Sequence, residues 1–183
     1  MVLAQSSAVA ACMAIDKNST VQKVHIKQLQ AILKNNPLAD NSIPEVLVDN
    51  DDTAHAITSG QWKRETNGGY GPSLLANRNV EKKLAAVSFV PAIKHTAQYQ
   101  VYIYCPRLQD IATVTKVKIF NGQKTISTTI NKNDVNVTGQ TSGEWVLVTT
   151  TNFFAGRKAT VKISNEDADG TIVADAVLFV PVK

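Results

Sequence analysis

The spacing of apolar side chains changes near residue 45, and the change divides the chain in two. Upstream, Val2 to Ile15 is a run rich in Ala, Ser, Val and Met without strand punctuation, which predicts a helix buried on most sides. Ile26, Leu29, Ile32 and Leu33 then recur at spacings of three and four, so a second helix with one apolar stripe is expected over Val24 to Lys34. Asn35-Asn36-Pro37 stops it. Downstream, Val117 and Ile119 alternate with Lys116 and Lys118, and Val161 and Ile163 with Thr160 and Lys162, the pattern of half-buried strands.

Further strands are expected at Glu45 to Val48, Lys83 to Val90, Gln98 to Cys105, Lys124 to Ile130, Glu144 to Thr150 and Thr171 to Val180. Asn121-Gly122 signals a hairpin, because both residues tolerate positive φ. Pro91, Pro106 and Pro181 each close an apolar run that cannot continue as a central strand. About eight strands with short polar connections predict a mainly β fold, a jelly-roll-like antiparallel β-sandwich preceded by two α-helices. The expected domains are a helical segment at 1–44 and the sandwich at 45–183.

Composition bounds the partners. At 183 residues and 44% hydrophobic the chain can bury a core of one domain with an appendage. The formal charge of +4 comes from nineteen basic and fifteen acidic residues scattered along the sequence, with no basic block of the kind that binds nucleic acid. The apolar start ends at Asp16-Lys17, short of the ~20 residues a bilayer requires, so no membrane span is expected. Val9-Ala10-Ala11-Cys12 imitates a lipid-attachment box, but no Lys or Arg precedes the apolar run as a secretory signal needs. Cys12 and Cys105 lie in segments of different character and predict neither a disulfide framework nor a Cys metal site.

Candidate chemistry is sparse. Asn165, Asp167, Asp169 and Gly170 follow the opening of a calcium loop, yet the twelfth position falls on Ala176 where a bidentate Glu belongs. A polar turn is expected instead, with Asp side chains bonding local backbone N–H groups. His25, His55 and His95 stand in no motif that puts a nucleophile beside a base, so no catalysis is expected of this chain alone.

Aromatic side chains are the more informative candidates, because a ring face packs against the C–H face of a sugar. Trp62 and Trp145 are expected in the core, Trp145 in phase with Leu147. Alternation along Gln98 to Cys105 puts Tyr99, Val101, Ile103 and Cys105 on the core face and Tyr102 and Tyr104 on the other. These two tyrosines form either an outward ligand platform or a surface covered by the N-terminal helices, whose apolar stripe favours the second. Tyr70, in the glycine-rich loop 68–71 and beside Lys63 and Arg64, is the best loop aromatic for ligand contact.

Several pieces together carry a family resemblance: Val48-Asp49-Asn50-Asp51-Asp52, Gly60-Gln61-Trp62, Gly69-Tyr70-Gly71, Ala97-Gln98-Tyr99-Gln100-Val101-Tyr102, Gly143-Glu144-Trp145 and Asp169-Gly170-Thr171-Ile172-Val173-Ala174-Asp175-Ala176-Val177. Residues 45–183 thus resemble the carbohydrate-binding-like domain of golvesin and of the C-termini of proteins called xanthan lyases or FAD-dependent oxidoreductases. Met1 to Ala11 and Val21 to Leu33 are similar to the last helices of such an oxidoreductase, although Ala4 stands where Gly is frequent. Gly-x-Gly-x-x-Gly is absent, so FAD would belong to the parent protein and not to this chain.

The resemblance implies a non-catalytic accessory piece at the C-terminus of a larger bacterial protein, itself an oxidoreductase or a lyase. It implies polysaccharide as ligand, a parent domain packed on the helices, and a periplasmic or extracellular location. The alternative is a structural domain that packs on its parent and binds no sugar. Carbohydrate-binding sandwiches often carry a structural calcium, to which Asp49, Asp51 or Asp175 would contribute if the terminal strands pair. No metal or other cofactor is otherwise expected in the chain.

Overall fold

The computed structural model describes residues 2–35, 42–78 and 83–182, which fall into two compact units, Met1–Pro44 and Glu45–Lys183. In the first, α1 (Val2–Asp16) and α2 (Ile26–Asn35) flank a short 3₁₀ turn at Val21–Lys23. Val9, Ala10, Met13 and Ala14 of α1 are buried, and their spacing makes one helical face. The stripe of α2 stays open by comparison: Leu29 and Leu33 are half-buried, while Ile26 and Ile32 are exposed. The stop signal at Asn36-Pro37 lies outside the described residues.

The second unit contains β1 (Val46–Asp49), β2 (Ala56–Ser59), β3 (Lys63–Glu65), β4 (Leu74–Asn77), β5 (Ala86–Phe89) and β6 (Ala97–Pro106). It continues with β7 (Val114–Phe120), β8 (Thr125–Asn131), β9 (Gly143–Phe153), β10 (Thr160–Ser164), β11 (Ile172–Ala174) and β12 (Ala176–Pro181). They form a four-stranded sheet in the order β1-β12-β6-β9, a five-stranded sheet β2-β5-β10-β7-β8 and a three-stranded sheet β11-β4-β3. Every pairing within the sheets is antiparallel.

Alternation explains the packing of the β-sandwich. Val161 and Ile163 of β10 are fully buried beside Ile119 and Val117 of β7, while Lys162 points to solvent beside Lys118. From the four-stranded sheet, Val48, Val177, Phe179, Val101, Ile103 and Tyr99 are buried. Phe153 stands edge-on to Tyr99 at 6.0 Å and to Phe179 at 5.3 Å, the geometry aromatic quadrupoles favour. A smaller cluster of Leu74, Ala76 and Val173 in the three-stranded sheet takes Leu108 and Ile111 against it.

Four local expectations change. The strand expected over Thr171 to Val180 breaks at Asp175, so β11 pairs with β4 whereas β12 pairs with β1 and β6. Asp175 therefore sits where the chain passes between two sheets. Strands β2, β3 and β4 were not expected, being three or four residues long with little alternation. In the β7–β8 hairpin only Gly122 takes positive φ, at 104°. Asn121 acts through its side chain instead, Oδ1 accepting from the N–H groups of Gln123 and Lys124.

The turn after β10 is polar as expected, but its side chains reach across the fold and not locally. Asn165 Oδ1 accepts from the Ala85 N–H at 2.7 Å, and its amide donates to Lys83 O and to Asn77 Oδ1. Asp169 Oδ1 accepts from the Thr113 N–H, and Asp167, at φ 57°, pairs with Lys116. Asn165 is buried, so Asn165→Ala leaves several polar groups unsatisfied. The substitution is expected to cost about 2–3 kcal/mol, read as a lower urea midpoint at unchanged slope.

Candidate functional site

The outward face of the four-stranded sheet carries the candidate site. Register places Leu47 opposite Leu178, Leu178 opposite Tyr102 and Tyr102 opposite Leu147, an apolar row across all four strands. In the adjoining row Asp49 lies opposite Ala176, and Tyr104 opposite Trp145. The intervening Val48, Val177 and Ile103 point into the core.

A β-bulge decides which face Trp145 takes. Val101 pairs with Thr149 but Tyr102 pairs with Leu147, so β9 holds an extra residue at Val148. Phe153 on one side of the bulge points inward, and the one-residue slip turns Leu147 and Trp145 outward on the other. The core placement expected for Trp145 is thereby overturned: its ring is half-buried and Leu147 is exposed. Trp62 is likewise outside the buried core, half-buried with Nε1 donating to Ser59 O.

Tyr70 closes an aromatic triangle on this face. Its ring centroid lies 5.0 Å from Trp145 and 5.5 Å from Tyr104, which are 5.2 Å from each other, all three pairs tilted or edge-on. Tyr104 is 7% exposed, Trp145 half-buried and Tyr70 47% exposed, so Tyr70 is the ring most open to solvent. Ser142 ties the triangle to its loop, with Oγ 2.6 Å from Tyr104 Oη and donating to Gly69 O at 3.0 Å. Gly143 leaves room for the ring: a Cβ there would lie 2.7 Å from Tyr104 Cε1.

The loop bearing Tyr70 is pinned from below by acidic residues. Its Tyr70 N–H donates to Asp175 Oδ2 at 2.9 Å. A Cβ on Gly69 would approach Ser73 O to 2.9 Å and Asp175 Oδ2 to 3.1 Å, and one on Gly71 would approach Asp49 Oδ2 to 2.8 Å. Both glycines are needed for close approach and not for positive φ. The β1 turn supplies the partners: Asn50 N–H donates to Asp175 O, and Asp51 N–H to Asp49 Oδ1.

Asp51 is satisfied from several sides. Ser73 Oγ donates to it at 2.8 Å, and Arg64 forks it with Nε and Nη2 at 3.0 Å each. The Ser73 hydroxyl first, and the Arg64 guanidinium with it, hold the Asp51 carboxyl below its usual range against the opposing effect of burial. Asp175 goes the other way: burial pushes it up to about 7, the charges of Asp49 and Asp51 add to the rise, and the Tyr70 N–H opposes it. Asp175 Oδ1 and Asn50 Oδ1 are buried without a hydrogen-bond partner. A cavity of about 430 Å³ opens beside this network, lined by Asn50, Asp51, Ile57, Arg64 and Leu75 among others.

Of the residues singled out from sequence, Tyr70 and Tyr104 come together, and Arg64 joins them indirectly through Asp51. Lys63 points to the other side of β3 and pairs with Glu65 at 3.5 Å. Tyr102 lies in the adjoining apolar row, half-buried, its hydroxyl on Gln100 Oε1. Asp49, Asp51 and Asp175 do share one neighbourhood. No group of three or more His, Cys, Asp or Glu placed to hold a metal occurs among the described residues.

One pair escaped the sequence reading. His55 Nδ1 stands 2.7 Å from Asp52 Oδ2, foreshadowed only by their i,i+3 spacing in a turn. No hydroxyl or thiol bonds to that histidine among the described residues, so the pair lacks a nucleophile. Cys105 is buried, and burial first, with Asp175 and Glu144 contributing, pushes its thiol up to about 12. It is an inert thiol.

Comparison with known proteins fits this architecture. Residues 46–181 match the model of the Golvesin C-terminal domain. The xanthan lyase of Bacillus sp. (strain GL1) is 30% identical over 145 residues, which are 76% of this chain and 15% of that protein. A solved Paenibacillus xanthan lyase superposes with a TM-score of 0.67 at 28% identity, over 77% of this chain and 13% of the other. CBM35 from Cellvibrio japonicus Abf62 superposes with a TM-score of 0.50 at 14% identity, over 76% of this chain and 95% of the module, a likeness of fold alone. This chain thus spans a small part of the lyases it resembles, and it belongs to the Golvesin C-terminal domain family.

Proposed function

We propose that residues 45–183 are a non-catalytic accessory domain that binds polysaccharide at the Tyr70–Tyr104–Trp145 face. The carrying observation is the Tyr70 ring, 47% exposed yet propped on two further rings and held by its own N–H on Asp175. An exposed aromatic fixed in advance offers a flat apolar surface to a pyranose at little cost in ordering. The relatives' name points to xanthan as the polymer met by the parent protein. A polymer of that size is met outside the cytoplasm, which is the location proposed for the parent. No helix among the described residues is long and apolar enough to cross a membrane.

Titration calorimetry over a panel of neutral and acidic polysaccharides tests this reading. Binding is expected for at least one polymer, and Tyr70→Ala is expected to weaken it by about tenfold or more while lowering the unfolding free energy by only about 1–2 kcal/mol, the chain staying folded. Absence of binding across the panel contradicts it.

A second reading has its own support. The apolar row Leu47, Leu178, Tyr102 and Leu147, with Leu47 and Leu147 42% and 47% exposed, is suited to packing against the parent protein without sugar. The relatives carry most of their length outside the matched region. The parent is a lyase by its relatives, or an FAD-dependent oxidoreductase by the resemblance of the two helices. The absorbance spectrum of the purified parent separates these two.

In our reading a proton, and not calcium, relieves the crowding of Asp49, Asp51 and Asp175. Arg64 already forks Asp51, and the three carboxyls do not converge as a hard-ion ligand set. Calcium and a chelator are each expected to leave the melting temperature unchanged at neutral pH; a calcium-dependent rise overturns the proton reading.

A further inference from the structure

A second cleft lies at the end of β6, with a volume of about 310 Å³ and with Arg107, Lys132, Leu108, Ile111, Val135 and Val137 in its lining. It holds two cations and no carboxylate. Neither cation enters an ion pair within 4.0 Å among the described residues, although each is tethered. Arg107 Nη2 donates to Val137 O at 2.6 Å, and Lys132 Nζ to Gln109 O at 3.1 Å. One donor of each head group is used in this way, which leaves the guanidinium fork and the ammonium with further N–H groups to offer.

The nearby acids are otherwise engaged. Asp134 accepts from Asn131 Nδ2, and Asp169 accepts from the Thr113 N–H while feeling Lys132 only as the weakest of its influences. The walls are firm: Leu108 and Ile111 pack on Leu74, Ala76 and Val173. Backbone bonds from Arg107 N–H to Ser142 O and from Lys132 N–H to Thr113 O hold the main chain at both cationic residues.

We infer that this cleft is a subsite for a carboxylate-bearing sugar residue, an acidic saccharide of the uronate class. Apolar walls meet the C–H face of the ring, and the two restrained cations meet its carboxylate with ordering already in place. A neutral sugar offers the two cations hydroxyl acceptors but no charge to pair with, and a small carboxylate without a ring leaves the walls uncovered. The inference is independent of the aromatic triangle, which Ser142 borders from its other side.

Methyl NMR of the full chain tests it, with a glucuronate-terminated disaccharide, its neutral glucose counterpart, and acetate as probes. The glucuronate disaccharide is expected to shift the Leu108, Ile111, Val135 and Val137 methyls saturably, with about tenfold or greater preference over both controls. Lys132→Gln is expected to weaken the shift about tenfold, and Tyr70→Ala to leave it intact. Arg107→Lys, checked for folding by the same spectra, keeps the charge but loses the fork and is expected to fall between. Equal shifts from the neutral disaccharide or acetate, an unchanged response in Lys132→Gln, or loss in Tyr70→Ala overturns the assignment.

Discussion

Stability of the chain is expected to fall by on the order of 4 kcal/mol as the pH rises from about 4 to about 7, and Asp175→Asn is expected to remove that fall. Asp175 is fully buried, and its carboxyl is raised from the ordinary 3.8 to about 7. Between those values the folded state holds a proton that the unfolded state has released, so each step up in pH favours unfolding. Below the lower value both states are protonated, and above the higher one the loss is complete. Asp51, held below its usual range, works in the opposite sense and loses its contribution only as the medium becomes acidic. Maximum stability is therefore expected near pH 4 to 5, roughly between the two effects.

Asparagine at 175 keeps an acceptor for the Tyr70 N–H and removes the group that titrates. Urea melts of the two proteins across this pH range decide the matter. Parallel stability profiles would assign the pH dependence to other groups.

Phe153→Ala is expected to cost about 3–5 kcal/mol, the range for deleting a fully buried ring whose cavity cannot collapse. The ring stands edge-on to both Tyr99 and Phe179, so its loss removes two aromatic contacts at once and opens the core between β6, β9 and β12. Chemical denaturation at unchanged slope measures it; a cost below ~1 kcal/mol would mean that the sandwich repacks around the gap. The contrast with Tyr70→Ala is the useful comparison. One tyrosine-sized aromatic holds the fold together, while the other is surface that the fold holds up.

Period-two patterning made the long strands legible, because Val161, Ile163, Val117 and Ile119 bury one face and leave lysines on the other. Short strands β2 to β4 were not legible, since three or four residues carry too little alternation and are recruited by neighbours already in place. The break at Asp175 was hidden for a related reason: Thr171 to Val180 is an apolar run interrupted by a single Asp, and only pairing with different sheets shows that the strand divides there.

At the site, Tyr70 was visible as an aromatic between glycines, but the reason for those glycines was not. Gly69 and Gly71 make room for carboxylates that arrive from β1 and from the β11–β12 junction, far away in sequence. Trp145 was assigned to the wrong face because a single extra residue at Val148 reverses the phase of β9, and no local feature marks that insertion. The Arg107–Lys132 cleft joins side chains from two separate loops, which only the folded chain brings together.

Trp145 supplies the most direct measurement of the central claim. In a Trp62→Phe background it is the remaining tryptophan, and it touches the Tyr70 ring on which the sugar is proposed to stack. Titration with a polysaccharide that binds by calorimetry is expected to change the Trp145 emission saturably at the calorimetric affinity, and Tyr70→Ala is expected to weaken the calorimetric binding about tenfold or more and to remove the saturable Trp145 response. Binding with unaltered Trp145 emission, or with the same affinity in Tyr70→Ala, would contradict the aromatic face as the sugar site.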